Sequence, residues 1–430
     1  MRVYLTALGC KLNQSEVESW ARGLAAAGCD IVKNPADADL YIINTCTVTH
    51  VAARKSRQIV RRCARANPQA EIIVTGCYAE VSPAELARLP GVSLVLGTTG
   101  KERLVESAAE QFGLSLRQIK ADFQRLPAMH TRAFVKIQDG CDNACTYCIV
   151  RIARGRQRSR PLHDILAEVL ARQAEGYQEL VLTGVHIGAY GRECGESLAD
   201  LIHAILAHTH FPRLRLSSIE PWDVSSDLLS VWENSRLCRH LHLPLQSGCD
   251  ATLQRMNRRY TTAQYRDLVC RARAAIPDLA VTTDVIVGFP GEDEHEFAVG
   301  ADFVASMDFA RIHVFPFSPR PGTTAASMPG QVSVHTKKQR VERMCTIARQ
   351  NAAAFRRRFI GRTMDVLWEN GQGDQWNGLT DNYIRVEVTT AQALHNRILP
   401  AQLLELTSQG LRGELASPPE MREHHELPAS

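Results

Sequence analysis

The chain has 430 residues, enough for two or three domains, and its 45% hydrophobic and 22% charged content is ordinary for a globular protein. No apolar run reaches membrane-spanning length and no signal peptide opens the chain, so a cytoplasmic protein without a membrane partner is expected. Thirteen cysteines in that compartment argue against a disulfide framework and for metal or redox use, while a net charge of +4 excludes nothing.

Residues 1 to about 100 alternate strand-like and helical stretches. The strand-like runs are Val3–Leu8, Leu40–Ile43, Glu71–Thr75 and Ser93–Leu96. Helical stretches lie near Gln14–Ala27, Val48–Ala66 and Pro83–Leu89. Such alternation predicts a Rossmann-like α/β domain built on a parallel sheet. Ligands of open α/β sheets bind outside the carboxyl ends of the strands. Cys10, Cys46 and Cys77 each end a strand and precede a helix, so one edge could gather them. Buried free cysteines are the competing reading. The helix Val48–Ala66 carries Arg54, Arg57, Arg61 and Arg65 on one face, and no acid occurs between Asp39 and Glu71. That one-sided charge suggests a polyanion partner; an ordinary solvated face normally mixes signs. From Leu104 to Met129 the periodicity weakens, and an interdomain linker is expected there.

An apolar run, Phe134 to Ile137, leads into Cys141, Cys145 and Cys148, spaced C-x-x-x-C-x-x-C. Three thiols on a tight loop suit an iron–sulfur cluster, zinc or another soft metal. A [4Fe–4S] cluster normally takes four thiolates, so three would leave one iron open. A structural zinc site completed by a nearby histidine is the alternative. Arg151, Arg154, Arg156, Arg158 and Arg160 follow without an acid until Asp164. They read as phosphate contacts or as an exposed loop.

Five more strand-like runs come next: Leu180–Thr183, Leu214–Ser218, Leu241–Leu245, Ala280–Val287 and Ile312–Phe317. With the first they predict a partial (β/α)6 barrel, whose working groups sit on the loops after the strands. Those loops hold Thr183, Gly184, Gln246 and Asp284, small or polar groups that suit a nucleoside cofactor. Lys337 to Arg358 is a basic helical segment. Beyond it, Thr363–Glu369, Tyr383–Val388 and Leu399–Leu406 predict a small antiparallel β-barrel. That region carries four basic and seven acidic residues, so charge does not mark it as an RNA binder. The tail after Ser417 is expected to be disordered.

The C-x-x-x-C-x-x-C loop, with Tyr147 before its third cysteine, resembles the radical S-adenosylmethionine (SAM) enzymes. The whole arrangement is similar to their methylthiotransferase branch. The likeness runs through Leu-Gly-Cys-Lys-Leu-Asn-Gln (8–14), Leu-Pro-Leu-Gln-Ser-Gly (243–248) and the stretch from Asp284 to Glu292. Asn-Thr-Cys-Thr-Val-Thr (44–49), Arg-Lys-Ser-Arg-Gln (54–58) and Thr-Gly-Val-His-Ile-Gly (183–188) look most like the bacterial group acting on N6-threonylcarbamoyladenosine in tRNA. So does Leu-Thr-Asp-Asn-Tyr (379–383). The chain departs from the pattern at Ala144 and Arg151, neither of them a ligand.

The resemblance implies an N-terminal domain over 1–125 with an auxiliary [4Fe–4S] cluster on Cys10, Cys46 and Cys77. It implies a radical SAM domain over 126–358 with a second cluster on Cys141, Cys145 and Cys148. A TRAM-like barrel over 359–417 and a tail over 418–430 complete the division. One SAM molecule would methylate sulfur at the auxiliary cluster. Another would be cleaved at the second cluster to the radical that attacks carbon 2 of the adenine. Tyr147, Thr183, Gly184, Gln246 and Asp284 are then candidate SAM contacts. Arg54, Arg57, Arg61, Arg65, Arg154, Arg158 and Arg160 are candidate tRNA contacts. An electron donor and a sulfur source are implied partners. A methylthiotransferase for isopentenyladenosine tRNA or a ribosomal protein, a two-cluster electron carrier, and a zinc-holding RNA-binding module are the alternatives. The other seven cysteines read as structural.

Overall fold

The computed structural model of the protein describes residues 1–113 and 131–416. The expected boundary at 125/126, the later part of the linker and the tail from 418 lie outside those residues. No helix among the described residues is long and apolar enough to cross a membrane.

The first sheet contains β1 (Arg2–Ala7), β2 (Asp30–Ile31), β3 (Leu40–Thr45), β4 (Glu71–Gly76) and β5 (Val92–Leu96), in the order β2-β1-β3-β4-β5 with every pair parallel. All six residues of β3 are buried, as expected of a central strand covered on both faces. One face packs Val3, Leu5, Leu40 and Ile42 against Val17, Trp20 and Leu24 of helix α1 (Lys11–Ala26). The other packs Tyr41, Ile43 and Val74 against Ala53 and Val60 of α2 (His50–Ala66). Leu104–Phe112, expected to begin a linker, is a helix instead. Its Leu104 and Ala108 are fully buried in the first of these cores, and left-handed Gly113 ends it.

All six barrel strands expected from the sequence are present. They are β6 (Ala133–Lys136), then, beyond the short hairpin β7 (Gln138–Asp139) and β8 (Arg158–Ser159), β9 (Glu179–Thr183), β10 (Arg213–Leu216), β11 (His240–His242), β12 (Ala280–Val287) and β13 (Arg311–Pro316). Two three-stranded parallel sheets, β6-β9-β10 and β11-β12-β13, are joined by parallel bridges from Leu214 to Leu237 and Ser218 to His242. The result is an open six-stranded barrel. Its strands' carboxyl ends face the carboxyl edge of the first sheet.

The third unit is a closed barrel of β14 (Thr363–Gln372), β15 (Gln375–Thr380), β16 (Arg385–Thr389), β17 (Ile398–Leu406) and β18 (Leu411–Leu415), ordered β14-β15-β16-β18-β17. The small antiparallel barrel expected from the sequence is present, with one seam, between β16 and β18, that runs parallel. Five strands cannot alternate direction all the way around a closed ring, so one parallel pair is unavoidable. Buried arginines dock this unit on β10. Arg213 donates to the carbonyls of Leu379 and Asp365, and Arg215 to that of Asp381. Glu179 neutralises Arg215 at 2.6 Å with neither side chain exposed. Burial alone would raise the Glu179 carboxyl, but Arg215 and Arg132 outweigh it and hold it at about 2. Replacing Glu179 with Gln should strand Arg215 as a buried charge and cost about 3–5 kcal/mol. Urea unfolding should therefore begin at lower concentration, whereas an unchanged midpoint would show that Arg215 finds its counter-charge elsewhere.

Candidate active site

Cys141, Cys145 and Cys148 follow the hairpin strand β7 on a loop whose shape is set by backbone contacts. Gly140 has φ +69°, and a Cβ there would lie 1.8 Å from the Arg156 carbonyl oxygen, so only glycine fits. Thr146 donates its N–H to Met256 O at 3.1 Å and its hydroxyl to Arg255 O at 2.9 Å. Asn257 holds the carbonyl of Ala144 at 2.8 Å, so the residue at that unusual position is anchored through its backbone. Arg151, the other departure, is exposed on the short helix Val150–Arg154.

Charged groups close around the three thiols. Buried Arg258 reaches within 3.4 Å of Cys145 Sγ, pairs with Glu220, and lies 4.7 Å from the Trp222 ring. His186 places Nδ1 4.0 Å from Cys141 Sγ and Nε2 2.5 Å from Asp223 Oδ2. Burial opposes its charge, yet Asp223 and Cys141 lift His186 to about 9. Burial pushes Cys148 up to about 12, so its proton stays until a metal displaces it. Arg258 and Asp223 carried no sequence signal: they are single polar residues whose partners lie far away in the chain.

The second triad gathers at the carboxyl ends of three neighbouring strands. Cys10 precedes α1, Cys46 follows β3, and Cys77 opens the short helix Cys77–Val81 after β4. Two glycines allow the approach. A Cβ on Gly9 (φ +99°) would lie 2.8 Å from Cys46 Sγ, and one on Gly76 (φ +96°) would lie 2.3 Å from Asn44 Oδ1. Cys46 and Cys77 are buried and Cys10 is exposed; burial takes the Cys46 thiol to about 12.

Arg154, expected among the RNA contacts, is corrected by the structure. It is only 3% exposed and turns inward to Cys77 Sγ at 3.2 Å, Asn13 Oδ1 at 2.6 Å, Asp139 Oδ1 at 2.9 Å and Glu16 Oε1 at 3.2 Å. A phosphate cannot reach a guanidinium so enclosed. Arg160 is part-buried against Glu168 and the carbonyl of Lys136, both at 2.6 Å, while Arg158 is exposed. Arg57 turns to Tyr78 and Glu85. Arg54, Arg61 and Arg65 stay exposed, with no acidic partner among the described residues.

The first triad and Cys10 of the second open on adjoining cavities, while Cys46 and Cys77 lie buried behind Cys10. One, of about 320 Å³, is lined by Cys141, Cys145, Cys148, Tyr147, Gln246 and Asp284. The other, of about 380 Å³, is lined by Cys10, Lys11, Thr183 and Gly184. Ser218, Asp284 and Phe315 line both, so they form one cleft at the carboxyl ends of the barrel strands. The sequence expectation therefore splits. Tyr147, Gln246 and Asp284 sit with the cluster loop, and Thr183 and Gly184 sit on the Cys10 side.

Residues 2–97 match a family described as uncharacterized protein family UPF0004, and residues 135–304 match the radical SAM superfamily. The chain is 37% identical over 417 residues to the threonylcarbamoyladenosine tRNA methylthiotransferase MtaB of Bacillus subtilis, covering 93% of this chain and 92% of that one. It is 39% identical over 380 residues to the Thermotoga maritima protein of the same name, covering 85% and 86%. It is also 37% identical over 381 residues to the tRNA-2-methylthio-N(6)-dimethylallyladenosine synthase of Frankia casuarinae, covering 85% and 71%. A solved radical SAM methyltransferase, TsrM from Kitasatospora setae, shares the fold with a TM-score of 0.56 at 15% identity over 76% of this chain and 77% of that one. Identity at this level along nearly the whole length, together with the matched central region, means that the chain belongs to the radical SAM methylthiotransferase family.

Proposed function

We propose that this methylthiotransferase adds a methylthio group to carbon 2 of N6-threonylcarbamoyladenosine next to the anticodon of tRNA. The observation that carries the reading is one cleft lined by Cys141, Cys145 and Cys148 and, on its other side, by Cys10 of the second three-cysteine set. Relatives named for the same modification support the substrate. A tRNA substrate places the work in the cytoplasm. In this reading the work is divided among an N-terminal domain over 1–125, a radical SAM domain over 126–358 and a TRAM-like barrel over 359–417.

Cys141, Cys145 and Cys148 would hold one [4Fe–4S] cluster, and Cys10, Cys46 and Cys77 the other. The donor sets fit, since each offers soft thiols and one short of the usual four. When bound, the first supplies the electron that cleaves SAM and the second carries the sulfur to be transferred. The chain's own residues orient and enclose. Gln246 and Asp284 offer polar contacts for SAM beside the thiols, and Tyr147, Phe315 and Phe317 wall that cavity against water. Arg258 keeps positive charge against Cys145. Val48 and Thr49, just before α2, line the same cavity, so RNA lying along the exposed Arg54, Arg61 and Arg65 would lead into the cleft. The target base must leave its stack to enter, at a cost of about a few kcal/mol that is lowest in a single-stranded loop. An external electron donor and sulfur source complete the cycle.

The reconstituted protein should hold about eight irons per chain. Changing Cys141, Cys145 and Cys148 to Ala should halve the iron and abolish SAM cleavage. Changing Cys10, Cys46 and Cys77 to Ala should halve it while SAM cleavage stays measurable. Full iron content in the second variant would remove the auxiliary site. Changing Arg54, Arg61 and Arg65 to Gln should weaken tRNA binding and reduce the slope of log affinity against log salt by about 2. An unchanged slope would mean that this face does not meet phosphate. Offered tRNAs carrying threonylcarbamoyladenosine or isopentenyladenosine, the enzyme should methylthiolate the first. Reaction with the second alone would reject the substrate and keep the chemistry.

A further inference from the structure

The cavity beside Cys10 has a charge character that the thiol cavity lacks. Lys11, Arg311, His240, His242, His313 and Tyr383 line it, against the single acid Asp284. Among the described residues the Lys11 ammonium has no hydrogen bond and no ion pair; it lies 5.7 Å from the centre of the Tyr383 ring. Glu179, the acid it feels, is already committed to Arg215 at 2.6 Å. Arg311 likewise has no ion pair among the described residues. Lys11 also sits at the first position of α1, where the helix dipole disfavours a cation and the first turn holds no acid. Two buried polar atoms on the same wall, His240 Nδ1 and Ser217 Oγ, have no partner. His240 is fixed by stacking on Tyr383, 4.7 Å between ring centres, so its orphan nitrogen is held in place.

We propose that this cavity seats the carboxylate of the amino-acid substituent on the target adenine, with Lys11 and Arg311 as its specificity-determining charges. The proposal rests on the tRNA reading above and adds what selects the base. In adenine, carbon 2 and carbon 6, which carries N6, flank the same ring nitrogen, N1. A base with carbon 2 between the triads therefore directs its N6 substituent along the same edge, and Cys10 and Lys11 are consecutive residues on one wall. A carboxylate would pair with two cations that lack an acidic partner, and its oxygens and neighbouring groups would give the orphan polar atoms an acceptor or donor. An apolar isopentenyl group would leave Lys11 and the buried orphan atoms unmatched. His242, Asp284 and His313 do bring ligand atoms within 4.8 Å of one another, as a divalent metal would need. Lys11 and Arg311 beside them disfavour a further cation, and Asp284 already faces His242 Nε2 at 3.4 Å. The third unit takes part by supplying Tyr383, at φ +69° in the turn between β15 and β16.

The test uses cluster-loaded full-length enzyme and anticodon stem-loop RNAs carrying threonylcarbamoyladenosine, its methyl ester, or isopentenyladenosine. The wild-type protein should prefer the free acid to the ester by on the order of 100-fold in kcat/KM. Lys11→Gln and Arg311→Gln should each erode that preference, and Lys11→Arg should restore most of it. Iron content is measured for every variant. If Lys11→Gln loses iron, Arg311→Gln, remote in sequence from any cysteine, decides alone. Wild-type preference retained in the variants would overturn the proposal. So would one zinc(II) bound per chain and lost in His313→Ala. A wild-type enzyme that modifies isopentenyladenosine but not threonylcarbamoyladenosine would instead sink the substrate reading itself.

Discussion

The guanidinium of Arg154 joins the two halves of the active site. It belongs to the barrel, six residues after Cys148, yet it bonds Cys77 and Asn13 of the first sheet domain. Around it Glu16 and Asp139 face Lys101 and Lys136 in a buried network. Burial would raise the Glu16 carboxyl, but Arg154 and the two lysines hold it at about 2. Its contribution to stability is thus complete above its usual value of 4.5 and is lost as pH falls toward about 2. Removing one partner from such a network strands the others without water, which makes the arrangement all-or-none. The consequence is geometric. Arg154 bonds Cys77, and the next residue, Gly155, accepts the Cys141 N–H at 3.1 Å, so the two triads are linked through one short stretch of chain.

Much of this was legible in the sequence because its chemistry is local. The C-x-x-x-C-x-x-C loop and the three strand-end cysteines declare themselves by residue type and position. The six barrel strands are apolar runs. What was missed depends on partners far along the chain. Arg154 reads as one more cation in a basic stretch, since nothing nearby reveals Glu16, 138 positions away. Arg57 reads as part of a basic face, but Tyr78 and Glu85 claim it. Leu104–Phe112 looks like linker because nine residues show little periodicity, yet Leu104 and Ala108 find a core. Strands β15 and β18, broken by Gly378 and Gly413, carry too weak an alternation to be seen.

Percent identity alone separates the two substrates weakly, although the match to the threonylcarbamoyladenosine relative is the longer, 417 residues against 381. The chain is equally identical to relatives named for two different adenosine modifications. Discrimination has to come from the wall that the N6 substituent meets. That wall is assembled from all three units: Lys11 from the first, His240, His313 and Arg311 from the barrel, and Tyr383 from the third. The acidic third unit need not bind RNA through its charge. Its docking through Arg213, Arg215 and Glu179 sets Tyr383 against His240.

Two clusters that face a single cleft must sense each other magnetically. Electron paramagnetic resonance of the reduced, fully loaded protein tests it most directly. Clusters that share a cleft should broaden each other's signals and shorten each other's relaxation, and both effects should vanish when either triad is changed to alanine. A spectrum equal to the sum of the two single-cluster variants would mean that the clusters do not share a cleft.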